Sequence, residues 1–477
     1  MNAPANAQLR DPALLSLVDC AGAIAAGRLT SQAATEACLA RIEAWQPRVN
    51  AFIRLDREAA LAQARERDAE TKAGRSRGVL HGVPLAHKDL LYRQGRVSTA
   101  GSAIRRDWVA PWTATVLARI DAAGAVELGA LNMAEWAAGP TGHNVHFGHC
   151  RNPWNPDHVT GGSSSGSGAA TAARLAFGAI GTDTGGSIRM PAAACGVVGI
   201  KATYGRVSRY GCAARSWTLD HIGPLARTAA DCARLLTVVA GIDDNDSTAA
   251  HQPVPDYEAG LAAPVAGLRL GVPRRLPIEI DAATEGGLAA TRAALERLGM
   301  RAIEVELPDF ELLFDAANVI IACEAASLHR PWLEGRPQDY ANQVRIRTEP
   351  GLYIPATQYI DALRLRAVYT QRFLAGTMDG IDALLLPSLP FTAPTIAESD
   401  VERFPGPQVL ASLARFSKYT RPFNLLGLPA VSVPGGFAPN GLPLAFQLVG
   451  RPFDEALLLQ MVHAYQQVTE HHLRVPA

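Results

Sequence analysis

From about residue 80 onward this 477-residue chain alternates short apolar runs with helical repeats, and that alternation constrains its fold more than any other feature. The segments "GVPLAHKDL" (82–90), "GAVELGAL" (124–131), "LAFGAIGTD" (175–183), "GLRLGVP" (267–273), "RAIEVELP" (301–308), "DALLLPSLP" (382–390), "PAVSVPGGF" (429–437) and "PLAFQLVGR" (443–451) read as strands. Short apolar runs bounded by Gly, Pro or charge suit strands buried on both faces. Helical patterns such as "TEGGLAATRAALERLG" and "DEALLLQMVHAYQQVT" separate many of them. Strands alternating with helices predict an α/β fold around a largely buried sheet. The first 75 or so residues read as helical: "TSQAATEACLARIEAW" has an N-cap candidate at Thr30 or Ser31 and puts Cys38, Ile42 and Trp45 on one face. The polar, Pro-rich stretch 241–264 reads as a surface connection.

The 45 basic residues balance 45 acidic ones. A nucleic acid or an anionic membrane as main partner calls for a basic excess, so neither is expected. The N-terminus lacks a basic segment followed by an apolar one, and no apolar run approaches 18 residues. Seven scattered cysteines do not form a disulfide pattern. A cytoplasmic protein is expected. Only four of the basic residues are lysines, Lys72, Lys88, Lys201 and Lys418, so a lysine between apolar residues needs a reason.

Two glycine–serine runs stand close together: "TGGSSSGSG" (160–168) and "GTDTGGSIRMP" (181–191). The first lacks the Gly-Lys-Ser/Thr of a phosphate loop, and Thr171 stands where a dinucleotide fingerprint needs glycine. Formally it fits Gly-x-Ser-x-Gly with Ser164 central. That elbow follows a strand, however, and the polar "RNPWNPDHV" precedes this one. The second run suits a nucleophile better. Glycines ahead of Ser187 let successive N–H groups of Thr184, Gly185, Gly186 and Ser187 turn toward a developing oxyanion. Asp183 and Arg189 flank the loop with opposite charge and could clamp its ends.

A serine nucleophile needs a base. His143, His146 and His149, with Cys150, have spacing that could bind a metal, but no carboxylate-rich or Cys-x-x-Cys partner accompanies them; a loop lining a pocket is the better reading, and no metal is expected. Lys88, set in "VPLAHKDL", is the other candidate, because burial lowers an amine's pKa toward its neutral, basic form.

Together with "LDHIGPLART", "GIKATYGRVSRYG" and "RPFNLLGLPAVSVPGG", these segments resemble the amidase signature family, in order and spacing, from about residue 12 to residue 470. The resemblance implies an amidase-signature α/β fold, a central mixed sheet with helices on both faces, formed as one domain over 1–477. Its helical region would cover about 1–75, its signature core about 76–240, and residues 265–470 would complete sheet and pocket. It also implies a catalytic triad of Ser187 as nucleophile, Ser163 as bridge after a cis peptide bond, and Lys88 as terminal base, with Ser164, Asp183 and Arg189 supporting the loops and no cofactor.

Family members that pass ammonia from glutamine to charged transfer RNA carry an acid three residues before the Thr of T-x-P-x-N. Here the segment is "SKYTRPFN" and that position is Ser417; Arg347 matches an arginine of those members. A substrate α-ammonium would be left unpaired. The loop "EWAAGPTGHNVHFGHC" suits an aromatic or apolar group, which puts Trp136, His143 and His146 in the expected pocket with Arg347 and Ser417. The expectation is therefore an amidohydrolase of a small or aryl amide, carbamate or urea-like compound, with the A-type subunit of a glutamine-dependent amidotransferase as the alternative. The partner expected is a small-molecule substrate alone, with no nucleic acid and no membrane, and with a homodimer left open.

Overall fold

The computed structural model describes residues 11–403 and 407–477. Its eleven strands form one mixed sheet: β1 (Phe52–Leu55), β2 (Pro84–Lys88), β3 (Val126–Leu131), β4 (Gly178–Asp183), β5 (Val198–Lys201), β6 (His221–Ala226), β7 (Arg269–Pro273), β8 (Arg301–Val305), β9 (Ala383–Pro387), β10 (Ala430–Phe437) and β11 (Pro443–Val449). The order across the sheet is β1-β3-β2-β4-β6-β5-β10-β11-β9-β7-β8. Strand β2 runs parallel to β3 and β4, and β7 parallel to β8 and β9; the other neighbours are antiparallel. Every residue of β2, β4, β5 and β6 is buried, as continuous apolar strands covered on both faces must be. The edge strand β8 exposes Arg301 and Glu304, charges that blunt a free edge.

The eight strands read from the sequence are present, and β1, β5 and β6 are additional. The N-terminal helices form as expected: Ser31–Val49 is capped by Thr30, whose hydroxyl accepts the Ala33 N–H, and buries Cys38, Ile42 and Trp45. The helix Phe310–Gly335 is long and apolar enough to cross a membrane by length and composition alone, with a mean hydropathy of 1.4 over its best window. Half of that window is buried, and Phe310, Leu313, Ala317 and Ile320 pack in the cluster that holds Phe373 and Phe423.

Candidate active site

The site lies at the carboxyl ends of the parallel neighbours β2 and β4. Strand β2 ends at Lys88, β4 ends at Asp183, and the loop 184–188 leads into the helix Arg189–Cys195. The first glycine–serine run adjoins this loop and enters the helix Ser165–Ala172. Small residues are needed there: a Cβ on Gly166 would stand 2.3 Å from the carbonyl oxygen of Ala51. The Ser164 N–H donates to the Ser187 carbonyl at 3.3 Å, joining the two runs. The Gly162–Ser163 peptide bond is cis.

Lys88 is fully buried; its Nζ lies 2.7 Å from Ser163 Oγ and 2.8 Å from Thr182 Oγ1. Burial pulls the amine down to about 7 from about 10.5, against the opposing pull of Cys212, Asp220 and Asp183. Ser164 Oγ donates to the Thr182 carbonyl and accepts the Thr182 N–H, so this serine ties loop to strand and is not the exposed elbow nucleophile.

Ser187 lines a cavity of about 300 Å³ together with Thr184 and Gly185. Among the described residues the N–H groups of Thr184, Gly185 and Ser187 have no protein acceptor. Gly186 is a correction, because its N–H donates to Asp183 Oδ1 at 2.6 Å and is not free for an oxyanion. Gly186 has φ +127°, and a Cβ there would stand 2.2 Å from Thr420 Oγ1, so only glycine fits. Thr184 Oγ1 donates to Asp220 at 2.5 Å and Thr420 Oγ1 to the Gly185 carbonyl at 2.8 Å, which pins the loop from two sides.

Asp183 and Arg189 form a fully buried ion pair, Nε to Oδ2 at 3.0 Å and Nη2 to Oδ1 at 3.1 Å. Burial alone would raise the Asp183 pKa, but the Arg189 guanidinium and further donors hold it well below the usual carboxylate range. Arg189 also donates to Gln447 Oε1 on β11 and to Asn424 Oδ1, so the loop is anchored to the C-terminal part of the chain.

The expected pocket residues are partly corrected. His143 is buried, its Nδ1 2.7 Å from Thr141 Oγ1 and its Nε2 3.1 Å from the Ile396 carbonyl; burial lowers its pKa to about 4. His146 faces Glu135 at 3.0 Å, and the His149 Nδ1 accepts the Asn144 N–H. Trp136 stacks on Trp332. None of these lines the cavity, where their loop contributes only Ala137, Ala138, Gly139 and Pro140. Ser417 is buried beside it, 3.4 Å from the Ala414 carbonyl. Arg347 does line the cavity, joined by Arg215 and Arg421, which the sequence reading missed. Among the described residues no group of three or more His, Cys, Asp or Glu could hold a metal ion.

The Amidase family profile matches residues 33–459. The chain belongs to the amidase family. It is 41% identical to a protein of Halorhodospira halophila named as the A-type subunit of glutamyl-tRNA(Gln) amidotransferase, over 97% of this chain and 98% of that one. Among solved structures, a protein from a complex described as revealing the origins of an s-triazine catabolic enzyme superposes with a TM-score of 0.88 at 34% identity, covering 95% and 98% of the two chains. A 6-aminohexanoate cyclic dimer hydrolase, bound to its substrate, superposes with the same score at 28% identity over 97% and 99%. This amidase has the amidase-signature fold and is an enzyme acting on carbon–nitrogen bonds. The partner expectation is overturned. Relatives named as subunits of an amidotransferase for glutamyl-tRNA are not enzymes that meet only a small molecule, and the exclusion of nucleic acid fails with it.

Proposed function

We propose that this amidase is the amide-cleaving component of an amidotransferase-type assembly, releasing ammonia from an amide through an acyl-enzyme on Ser187. The contact of Lys88 with Ser163, beside a cavity lined by Ser187, carries the reading. A neutral Lys88 has a lone pair to accept the Ser163 proton while Ser163 Oγ accepts that of Ser187. Ser187 Oγ bonds to the amide carbon, and the N–H groups of Thr184, Gly185 and Ser187 stabilise the oxyanion. The C–N bond breaks as the relay returns a proton to the leaving nitrogen. Water then cleaves the ester, which releases a carboxylic acid and regenerates Ser187.

The assembly part of the reading draws on the relatives, whose 40–42% identity extends over nearly the whole chain. The cytoplasmic setting belongs to the same reading, and all seven cysteines are free. Two measurements test it. A serine-directed fluorophosphonate is expected on Ser187; label on Ser164 would overturn the chemistry. Adding the remaining subunits of a relative's enzyme and its glutamate-charged tRNA is expected to raise ammonia release. A chain with full turnover alone and no response to those additions would overturn the assembly.

A further inference from the structure

A second cavity, of about 360 Å³, shares no lining residue with the one that holds Ser187. Four parts of the chain meet there: the helix Leu17–Ala25, the turn after the helix Ser165–Ala172, the helix Ala229–Val239, and the helix Glu455–Gln467 with the turn His471–Leu473. Two of these helices begin at the cavity, because their N-caps Ser16 and Thr228 both line it. A helix start presents unpaired N–H groups and a partial positive charge, which favour an anion. Ala230, in the first turn of Ala229–Val239, also lines the cavity, and its N–H has no acceptor among the described residues.

Two arginines add full charge. Arg174 and Arg227 line the cavity, although only 6% and 3% of their surfaces are exposed. Arg174 donates from Nη2 to the Arg474 carbonyl at 3.3 Å, and among the described residues its Nε and Nη1 have no partner. Arg227 donates to the carbonyls of Ala13 and Leu15, and its buried Nε has no partner. Neither guanidinium forms an ion pair among the described residues. His472, which lines the same cavity, has a buried Nδ1 without a partner. Burial, and then the charge of Arg227, lowers Arg174 to about 8; Asp231 opposes this and Arg41 adds to it.

The two acids nearby do not cancel these charges. Asp19 lines the cavity but is exposed to water, and its Oδ2 accepts the Ser16 hydroxyl at 2.6 Å. Asp231 does not line it; its Oδ1 accepts the Val18 N–H at 3.0 Å and its buried Oδ2 has no partner. Burial raises the Asp231 pKa against the pull of Arg227, which favours the neutral carboxyl. Buried guanidiniums without a counter-charge call for an anion. A planar carboxylate is held by one guanidinium fork, whereas donors converging from separate elements suit a tetrahedral oxyanion.

We propose that this cavity is a phosphate site, in which Arg174, Arg227 and the Ala230 N–H hold a phosphate group. The site is separate from the hydrolytic chemistry and does not depend on it.

The test is phosphate binding to the whole chain, read by calorimetry and by the thermal midpoint, at constant ionic strength set with chloride. Inorganic phosphate is expected to bind saturably and raise the midpoint, and acetate to bind at least about tenfold more weakly. Arg174→Gln should weaken phosphate binding by at least about tenfold, the scale of a hydrogen bond to a charged group, and Arg174→Lys should restore part of it. Ala230→Asp is a second variant whose fold is protected. A carboxylate in the first turn of a helix favours the helix, yet it repels an anion, so binding should be lost while the phosphate-free midpoint holds. Arg347→Gln, in the cavity of Ser187, should bind phosphate as the wild type does. Glycerol 3-phosphate beside inorganic phosphate gives the source: the tighter ligand marks the occupant as a phosphomonoester or as the free ion. No saturable phosphate binding, acetate as tight as phosphate, unaltered binding in both Arg174→Gln and Ala230→Asp, or loss in Arg347→Gln alone overturns the proposal.

Discussion

Lys88 Nζ and Ser163 Oγ are 2.7 Å apart and neither residue is exposed to solvent, so a proton can pass between them without water. With the amine lowered to about 7, the base is available above that pH and protonated below it. Turnover should therefore rise through pH 7 and level off on the alkaline side, read as kcat/KM against pH. Lys88→Ala is expected to lose about 10²–10⁴-fold in kcat, the range for a general base. Lys88→Arg should lose as much, because guanidinium keeps its proton at usable pH. Wild-type-like turnover in Lys88→Arg would make Lys88 an electrostatic group and not a base.

Gly186→Ala should cost at least about 100-fold in kcat, the scale of losing an oxyanion donor, because the added methyl collides with Thr420 and displaces Ser187. Gly286→Ala is the control. Gly286 is exposed in the helix Ala282–Arg297 with nothing within 4 Å of a new Cβ, and this change should stabilise by about 0.5–1 kcal/mol. Activity assays and urea unfolding of the two variants should move in opposite directions.

Asp183→Asn leaves the Arg189 charge buried without its partner and is expected to destabilise by about 3–5 kcal/mol, measured by denaturant unfolding. Arg189→Met placed on top should recover part of that loss. The sign with pH follows from the depressed carboxylate. Its contribution is complete above the unfolded value of about 3.9 and fades as pH falls below it toward the folded value. The wild type should lose more stability between pH 5 and pH 3 than the Asp183→Asn/Arg189→Met double variant; equal losses would mean the pair contributes nothing.

The strands and the glycine turn ahead of Ser187 were legible because both are local. A run such as "LAFGAIG" is apolar throughout since both faces of its strand are covered, and "DTGGS" has glycine where the chain turns. Strands β5 and β6 were not read, since "VGIK" and "HIGPLA" are short and broken by Gly, Pro or charge, and only their neighbours in the sheet define them. The long helices Phe310–Gly335 and Ala356–Ala375 went unread as well. The pocket was the weakest point. The His- and Trp-rich loop turns those side chains into the protein and offers the cavity small residues, while Arg215 and Arg421 look like any other of the 41 arginines until folding gathers them. Arg421 had one signal, its place beside Pro422 in the "TRPFN" segment that carries the family resemblance.

The grip of Arg189 on Gln447 and Asn424 bears on how the enzyme is born. On the ribosome the two glycine–serine runs emerge well before β10 and β11, and β5 waits for β10 as its neighbour in the sheet. A nascent chain that already holds Lys88, Ser163 and Ser187 still lacks the Thr420, Asn424 and Gln447 contacts that hold the 184–189 loop from its C-terminal side. A truncated product that ends before Asn424 keeps Lys88, Ser163 and Ser187 and is expected to be inactive.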